Sequence, residues 1–263
     1  MFTILPIKGY IDQIDGFFCD GIHAGLKPNG NNDLGFIYTK EACTVAAIFT
    51  ENRFQAAPLK HFLAYEEGFK TNFVLINSKN ANALTGRKGI EDINTLFSKL
   101  NFDLINPVMS STGVIGNRLP IEKLVTGALK FDLTAKSGEN LSRAIMTTDA
   151  YPKTCLYEVK LEDGSSFKIG AVAKGAGMIN PNLATMLCFI CTDADVPYKD
   201  IKEALNKNKE TTFNAISVDG DTSTNDTVMV LANGKSNAYN KDAFCEALRL
   251  VMHDMAMLMV ADG

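Results

Sequence analysis

Lys174 to Asp193 reads KGAGMINPNLATMLCFICTD, with a lysine and a threonine on either side of a turn rich in small residues. Gly175, Gly177 and an Asn-Pro-Asn turn (Asn180, Pro181, Asn182) lead to Ala184 and Thr185, and Met186 to Ile190 is unbroken apolar. Such a run between turn signals predicts a buried strand. Thr185 would then sit at the mouth of that strand, with little bulk guarding the Ala184 carbonyl. A threonine hydroxyl is a poor nucleophile without a base. On these residues alone, the plainer reading is that Thr185 simply opens a core strand.

Other candidate constellations are plainer. Ser110 to Gly116 (SSTGVIG) is a small-residue loop after a short apolar segment, and its Ser-Thr-Gly reads as a turn. Lys174 can meet a carboxylate as a point charge or stand as a solvated strand end. Ser217 to Thr227 (SVDGDTSTNDT) alternates Asp219, Asp221, Ser223 and Asn225 in the manner of a calcium loop. Thr224 and Val230, however, occupy the places that require Gly and Glu. Cys188 and Cys191 form a lone C-x-x-C in the predicted strand, where residues three apart face opposite ways. No second pair or nearby histidine completes a zinc set. No metal is expected, and no phosphate-binding or dinucleotide glycine signature occurs.

Several of these stretches together resemble the ornithine acetyltransferase family, or bifunctional glutamate N-acetyltransferases. The Ala184-Thr185-Met186-Leu187 motif, the Lys174 to Ile179 lead-in and the trailing Thr192-Asp193-Ala194 carry the likeness, as do Thr147-Thr148-Asp149 and Asp219 to Asp226. The resemblance runs from the first residue to the last. It implies self-cleavage at Ala184/Thr185, in which Thr185 Oγ attacks the Ala184 carbonyl to give an ester that water releases. The freed α-amine, with a reference pKa of about 7.7–8.0, would then serve Thr185 as base. It also implies Thr185 as N-terminal nucleophile, Thr112 and Gly113 as oxyanion donors, and Thr148, Lys174 and Thr185 as substrate contacts. It gives the Asp219 to Asp226 stretch a structural hydrogen-bonding role near the processed threonine. It further implies ping-pong acetyl transfer from N-acetylornithine to glutamate in arginine synthesis. No resident cofactor is implied, with acetyl-CoA as a possible second donor. The partners implied are the small substrates and the chain's own two fragments, as a heterotetramer of two of each.

Two departures stand out. Family chains carry Gly where Lys79 stands, and they continue past Asp262-Gly263 with a Glu and later Asn and Thr that join the substrate site. The family's C-terminal domain is thus expected to be absent. Two rival readings follow: a truncated non-catalytic homologue acting as a binding or assembly partner, and a related N-terminal nucleophile amidohydrolase or aminopeptidase.

The chain has 263 residues, 46% hydrophobic and 21% charged, ordinary for a globular protein able to bury a sizeable core. A net charge of -4 gives no electrostatic footprint for nucleic acid. Six cysteines in mostly apolar contexts and the lack of a signal-peptide pattern point to a reducing cytoplasm. The apolar segment Val251 to Val260 is too short to span a bilayer, so no membrane role is expected.

The elements that must position these groups can be read from periodicity. Strands are expected at Cys43 to Thr50, Phe73 to Asn77 and Thr227 to Ala232. A hairpin is expected from Leu156 to Leu161 and Phe167 to Val172 around Asp163-Gly164. Helical spacing marks Ile90 to Leu100, a segment opening at Pro120, Pro197 to Leu205, and a last helix capped by Asn240. The mixture predicts an α/β (α+β) layered fold. The resemblance sharpens it to stacked β-sheets flanked by helices, N-terminal-nucleophile-like. Residues 1–195 are expected to form the main sandwich and 196–263 a smaller lobe continuing it.

Overall fold

The computed structural model describes residues 1–177 and 186–263. Ala184 and Thr185 lie outside the described residues. In chain order the elements are β1 (Phe2–Pro6), β2 (Phe18–Ile22), β3 (Leu34–Phe49), α1 (Ala57–Leu63), β4 (Lys70–Asn77), α2 (Gly86–Ser98), β5 (Val108–Ser111), α3 (Ile121–Ala128) and α4 (Gly138–Ile145). They continue with β6 (Lys153–Leu161), β7 (Ser166–Lys174), β8 (Leu187–Thr192), α5 (Tyr198–Lys209), β9 (Thr227–Ala232) and α6 (Lys241–Asp262).

Among the described residues the strands form one nine-stranded sheet, ordered β1-β6-β7-β8-β9-β3-β4-β5, with β2 also pairing with β3. Its geometry turns on β3. A register shift between Tyr38 and Cys43 divides it into a first half paired with β2 and β4 and a second half paired with β9, with Cys43 and Thr44 still opposite β4. A bulge of this kind bends a strand. Val172, Phe189 and Met229 from one side of the bend and Ile37, Val74 and Ile76 from the other share a single inner core. The outer face of β6 to β9 is covered by α5 and α6, through Leu205, Leu248 and Met255. The outer face of β4 and β5 is covered by α2 and α3, through Ile93, Leu96 and Leu124. The expected layered α/β arrangement is present, its stacked sheets being two limbs of one hydrogen-bonded sheet.

β8 is apolar throughout because both of its faces are buried. Cys188 and Ile190 face the helices, while Leu187, Phe189 and Cys191 face the inner core, so the two cysteines do point apart. The hairpin pairs Lys153 to Lys160 with Ala173 to Ser166, and Gly164 takes the left-handed φ of +86° that its turn needs. Asn240 accepts from the Ala243 amide at 3.0 Å and caps α6 as expected. Pro120 flanks α3 as its cap residue, one position before the first turn. Among the described residues no helix is long and apolar enough to cross a membrane.

Candidate active site

β4 and β5 run parallel, with Asn77 opposite Ser111, so the chain leaves both strands at the same edge. The two exits then knit together. The Thr112 amide donates to Asn77 O (3.0 Å), the Val114 amide to Lys79 O (3.1 Å) and the Ala81 amide to Val114 O (3.0 Å). Between two tied amides, the Gly113 N–H has no partner among the described residues and the residue is exposed. Gly113 has φ +132°, and a Cβ there would lie 2.2 Å from the carbonyl carbon of Lys79. Glycine is therefore required both by the backbone angle and by the close approach of the neighbouring loop.

Lys174 ends β7 and is 3% exposed. Its Nζ donates to Thr112 Oγ1 at 3.2 Å, joining the two loops across 62 residues of sequence. Burial pulls the Lys174 pKa down, against the carboxylates of Asp149 and Asp226. In register, Lys174 pairs with Leu187 and Leu187 with Thr227, so Met186, the residue after Thr185, lies at this same edge.

The Asp219 to Asp226 stretch locks the edge together. Asn225 Nδ2 donates to Ala81 O (2.7 Å) and Ser111 O (2.9 Å), spanning the exits of β4 and β5. Asp226 Oδ1 accepts from the Met186 amide (3.1 Å), and its Oδ2 has no partner among the described residues. Burial raises the Asp226 pKa well above the usual carboxylate range.

Thr147, Thr148 and Asp149 form the link from α4 to β6. Thr148 is exposed beside Asp149, whose side chain is fully buried and accepts from the Gly175 amide (2.7 Å), the Thr147 amide (3.0 Å) and Lys153 Nζ (2.9 Å). Burial would raise the Asp149 pKa, but Lys174, Lys153 and the two amides together hold it below the ordinary value. Lys153 also reaches Asp262 near the end of α6 at 2.6 Å. A cavity of about 480 Å³ opens against this loop, lined by Lys27, Asn32, Lys79, Arg143, Thr147 and Asp149 among others.

The structure thus gathers Thr112, Gly113 and Lys174 at one edge and sets Thr148 beside the aspartate that holds Gly175, the residue after Lys174. Sequence reasoning placed Asp149 and Asp226 inside motifs without an individual role and did not single out Lys153. Lys153 lies three residues before the strand expected from Leu156, so nothing local in the sequence marked its buried ion pair.

The ArgJ family's sequence profile matches residues 18–263. The chain belongs to the ArgJ family. The arginine biosynthesis bifunctional protein ArgJ of Wolinella succinogenes is 54% identical over all of this chain and 67% of its own length. The chain spans about two thirds of the length of the curated ArgJ relatives it matches. Of solved structures, an ArgJ protein of Bacillus halodurans is similar at TM-score 0.63 and 32% identity, over 71% of this chain and 99% of that one. The ornithine acetyltransferase of Mycobacterium tuberculosis, solved with ornithine, is similar at TM-score 0.57 and 27% identity, over 70% of this chain and all of that one.

Proposed function

We propose that the chain moves an acetyl group from N-acetylornithine to glutamate in arginine biosynthesis, after cutting itself between Ala184 and Thr185. Thr185 Oγ adds to the Ala184 carbonyl, the C–N bond breaks as the nitrogen takes up the proton, and water hydrolyses the resulting ester. The freed amine then accepts the Thr185 hydroxyl proton as Oγ attacks the acetyl carbonyl of N-acetylornithine. Ornithine leaves with that proton, and the glutamate amine takes the acetyl group from the Thr185 ester, giving up a proton through the freed α-amine to the departing Thr185 Oγ. No resident cofactor is called for; acetyl-CoA would act as an alternative donor in the same first step.

The observation that carries this reading is the contact between Lys174 Nζ and Thr112 Oγ1 beside the free N–H of Gly113. An ammonium can only donate, so Thr112 Oγ1 accepts from it and keeps its own proton for another acceptor. Two donors, one hydroxyl and one amide, are then left for a tetrahedral oxyanion, each worth roughly 2.7–4 kcal/mol in the transition state. The lengths of the solved relatives also support it. They are matched almost whole by 70 to 71% of this chain, the share made up by the residues preceding Thr185. Two copies of each fragment would form the working assembly, in the cytoplasm, where the free thiols stay reduced.

Intact-mass spectrometry of the purified chain tests the first step. Two masses split at Ala184/Thr185 are expected, one mass for Thr185→Ala, and slower splitting for Thr112→Ala. A single uncut mass for the parent, or a Thr185→Ala chain still cut there, refutes the reading. Labelled acetyl passing from N-acetylornithine to glutamate identifies the transferase; release of acetate alone would make it a hydrolase.

A further inference from the structure

Lys79 is a residue that the proposed chemistry leaves unused. It has φ +73°, a left-handed conformation that costs a side-chain-bearing residue about 1–2 kcal/mol. The conformation is enforced by its surroundings. The Lys79 carbonyl is bound by the Val114 amide, and its carbonyl carbon lies where a Cβ on Gly113 would need to be. Its side chain lines the 480 Å³ cavity beside Thr147 and Asp149. Strain kept at a functional edge points to a use for the side chain that causes it.

Among the described residues no hydrogen bond or ion pair engages the Lys79 ammonium. The other charges on the wall are already committed. Lys27 Nζ, on a side chain largely buried, donates to Asn32 O (2.7 Å), Arg143 O (3.4 Å) and Ala144 O (3.5 Å). Asp149 is held by Lys153 and two backbone amides, and Arg143 pairs with Glu139 at 2.9 Å. Lys27 feels the carboxylates of Asp33 and Asp149 and, more weakly, the repulsion of Lys79. Lys79 is therefore the unspent positive charge on the wall, immediately behind the glycine of the oxyanion loop.

We propose that Lys79, backed by Lys27, makes this cavity a carboxylate subsite that takes the side-chain carboxylate of an acidic amino-acid acceptor. The assignment rests on the acetyl-transfer reading and deepens it. The same charge does not attract the side-chain ammonium that N-acetylornithine and ornithine share, so the subsite is specific to the acidic acceptor. A carboxylate fits better than a phosphate, because Asp149 on the same wall opposes a second negative charge and the volume suits an amino acid.

Calorimetric titration of the whole chain tests this with L-glutamate, L-glutamine, ornithine and inorganic phosphate as probes, on the parent, Lys79→Gln and Lys79→Gly. Glycine accepts φ +73° freely, so Lys79→Gly keeps the fold while removing the charge. Glutamate is expected to bind about tenfold more tightly than glutamine to the parent, with the preference lost in both variants. Unchanged glutamate affinity in both variants overturns the subsite, as does Lys79-dependent binding of phosphate without binding of glutamate. The readout needs no turnover. An uncut parent that still shows the Lys79-dependent preference sinks the transferase reading alone, while an active enzyme whose KM for glutamate is unmoved by Lys79→Gln sinks the subsite alone.

Discussion

Replacing Lys153 with methionine should be among the most damaging single changes in this chain. The side chain is fully buried and donates to Asp149 at 2.9 Å, Asp262 at 2.6 Å and the Tyr151 carbonyl at 3.3 Å. Both carboxylates are at most 2% exposed, so Lys153→Met leaves two buried negative charges facing each other without their common cation. Asp149 keeps the amides of Thr147 and Gly175, and Asp262 keeps that of Ala150, which softens the loss without removing it. Breaking a buried ion pair from one side costs about 3–5 kcal/mol. Set against a total of about 5–15 kcal/mol, that is a large share. At about 2–4 °C per kcal/mol for a chain of this size, Tm should fall by roughly 6–20 °C.

Urea unfolding and a thermal melt of both proteins give the numbers. A companion variant carrying Lys153→Met, Asp149→Asn and Asp262→Asn separates lost packing from stranded charge, because it removes both anions together with the cation. It should recover much of the loss. A cost under about 1 kcal/mol for the single variant would refute the reasoning, and so would a triple variant no more stable than the single one. Acid supplies a further check. The folded Asp149 pKa lies below its ordinary value, so its contribution is present above the usual carboxylate range and is lost as pH falls through the folded pKa. Asp149→Asn should remove that part of the acid slope.

Gly113→Ala places a methyl group 2.2 Å from backbone at φ +132°; about 1–3 kcal/mol of strain is expected, with slower self-cleavage by mass spectrometry, and a wild-type rate would contradict the site. Asn225→Ala strips the carbonyls of Ala81 and Ser111 of a buried donor. A loss of about 1–3 kcal/mol in urea unfolding is expected, and an unchanged midpoint would show that the β4 and β5 exits hold without it. Asp226 has the opposite sign to Asp149. Its folded pKa is raised, so stability falls as pH rises from the ordinary carboxylate range towards the folded value. Asp226→Asn keeps an acceptor for the Met186 amide and should flatten that decline above the ordinary carboxylate range; equal slopes in the two proteins would refute the burial argument.

What the sequence discloses here depends on how local its cause is. β8 is legible because burial on both faces leaves an unbroken apolar run, the β6–β7 hairpin because Asp163-Gly164 makes its turn, and α6 because Asn240 caps it. β3 is only half legible, since Lys40-Glu41-Ala42 interrupts the pattern where the strand bends and only Cys43 to Thr50 is marked as a strand. β2, α1 and α4 are short and lean on neighbours distant in sequence, and the end of β5 is the polar pair Ser110-Ser111. At the site, Thr112, Gly113, Thr148 and Lys174 are reached through family motifs. The ties that position them join residues far apart: Lys174 to Thr112, Asn225 to Ala81 and Ser111, Lys153 to Asp262. No window of sequence contains both ends of such a bond.

The order of the strands also bears on how the protein could survive being cut. β8, which follows the proposed scission point, hydrogen-bonds β7 from before it along six residues, from Lys174–Leu187 to Ile169–Thr192. On its other side β8 pairs with β9, and β9 pairs with the second half of β3. The later piece is therefore threaded between two strands of the earlier one, with α6 packed on β6 and β7 and tied to Lys153 through Asp262. Separating the pieces would require opening the sheet on both sides of the β8–β9 pair and exposing Phe189, Ile190, Met229 and Val230, all at most 1% accessible. A single broken peptide bond removes none of those contacts, so the cut that frees an amine at the site can leave the surrounding fold intact.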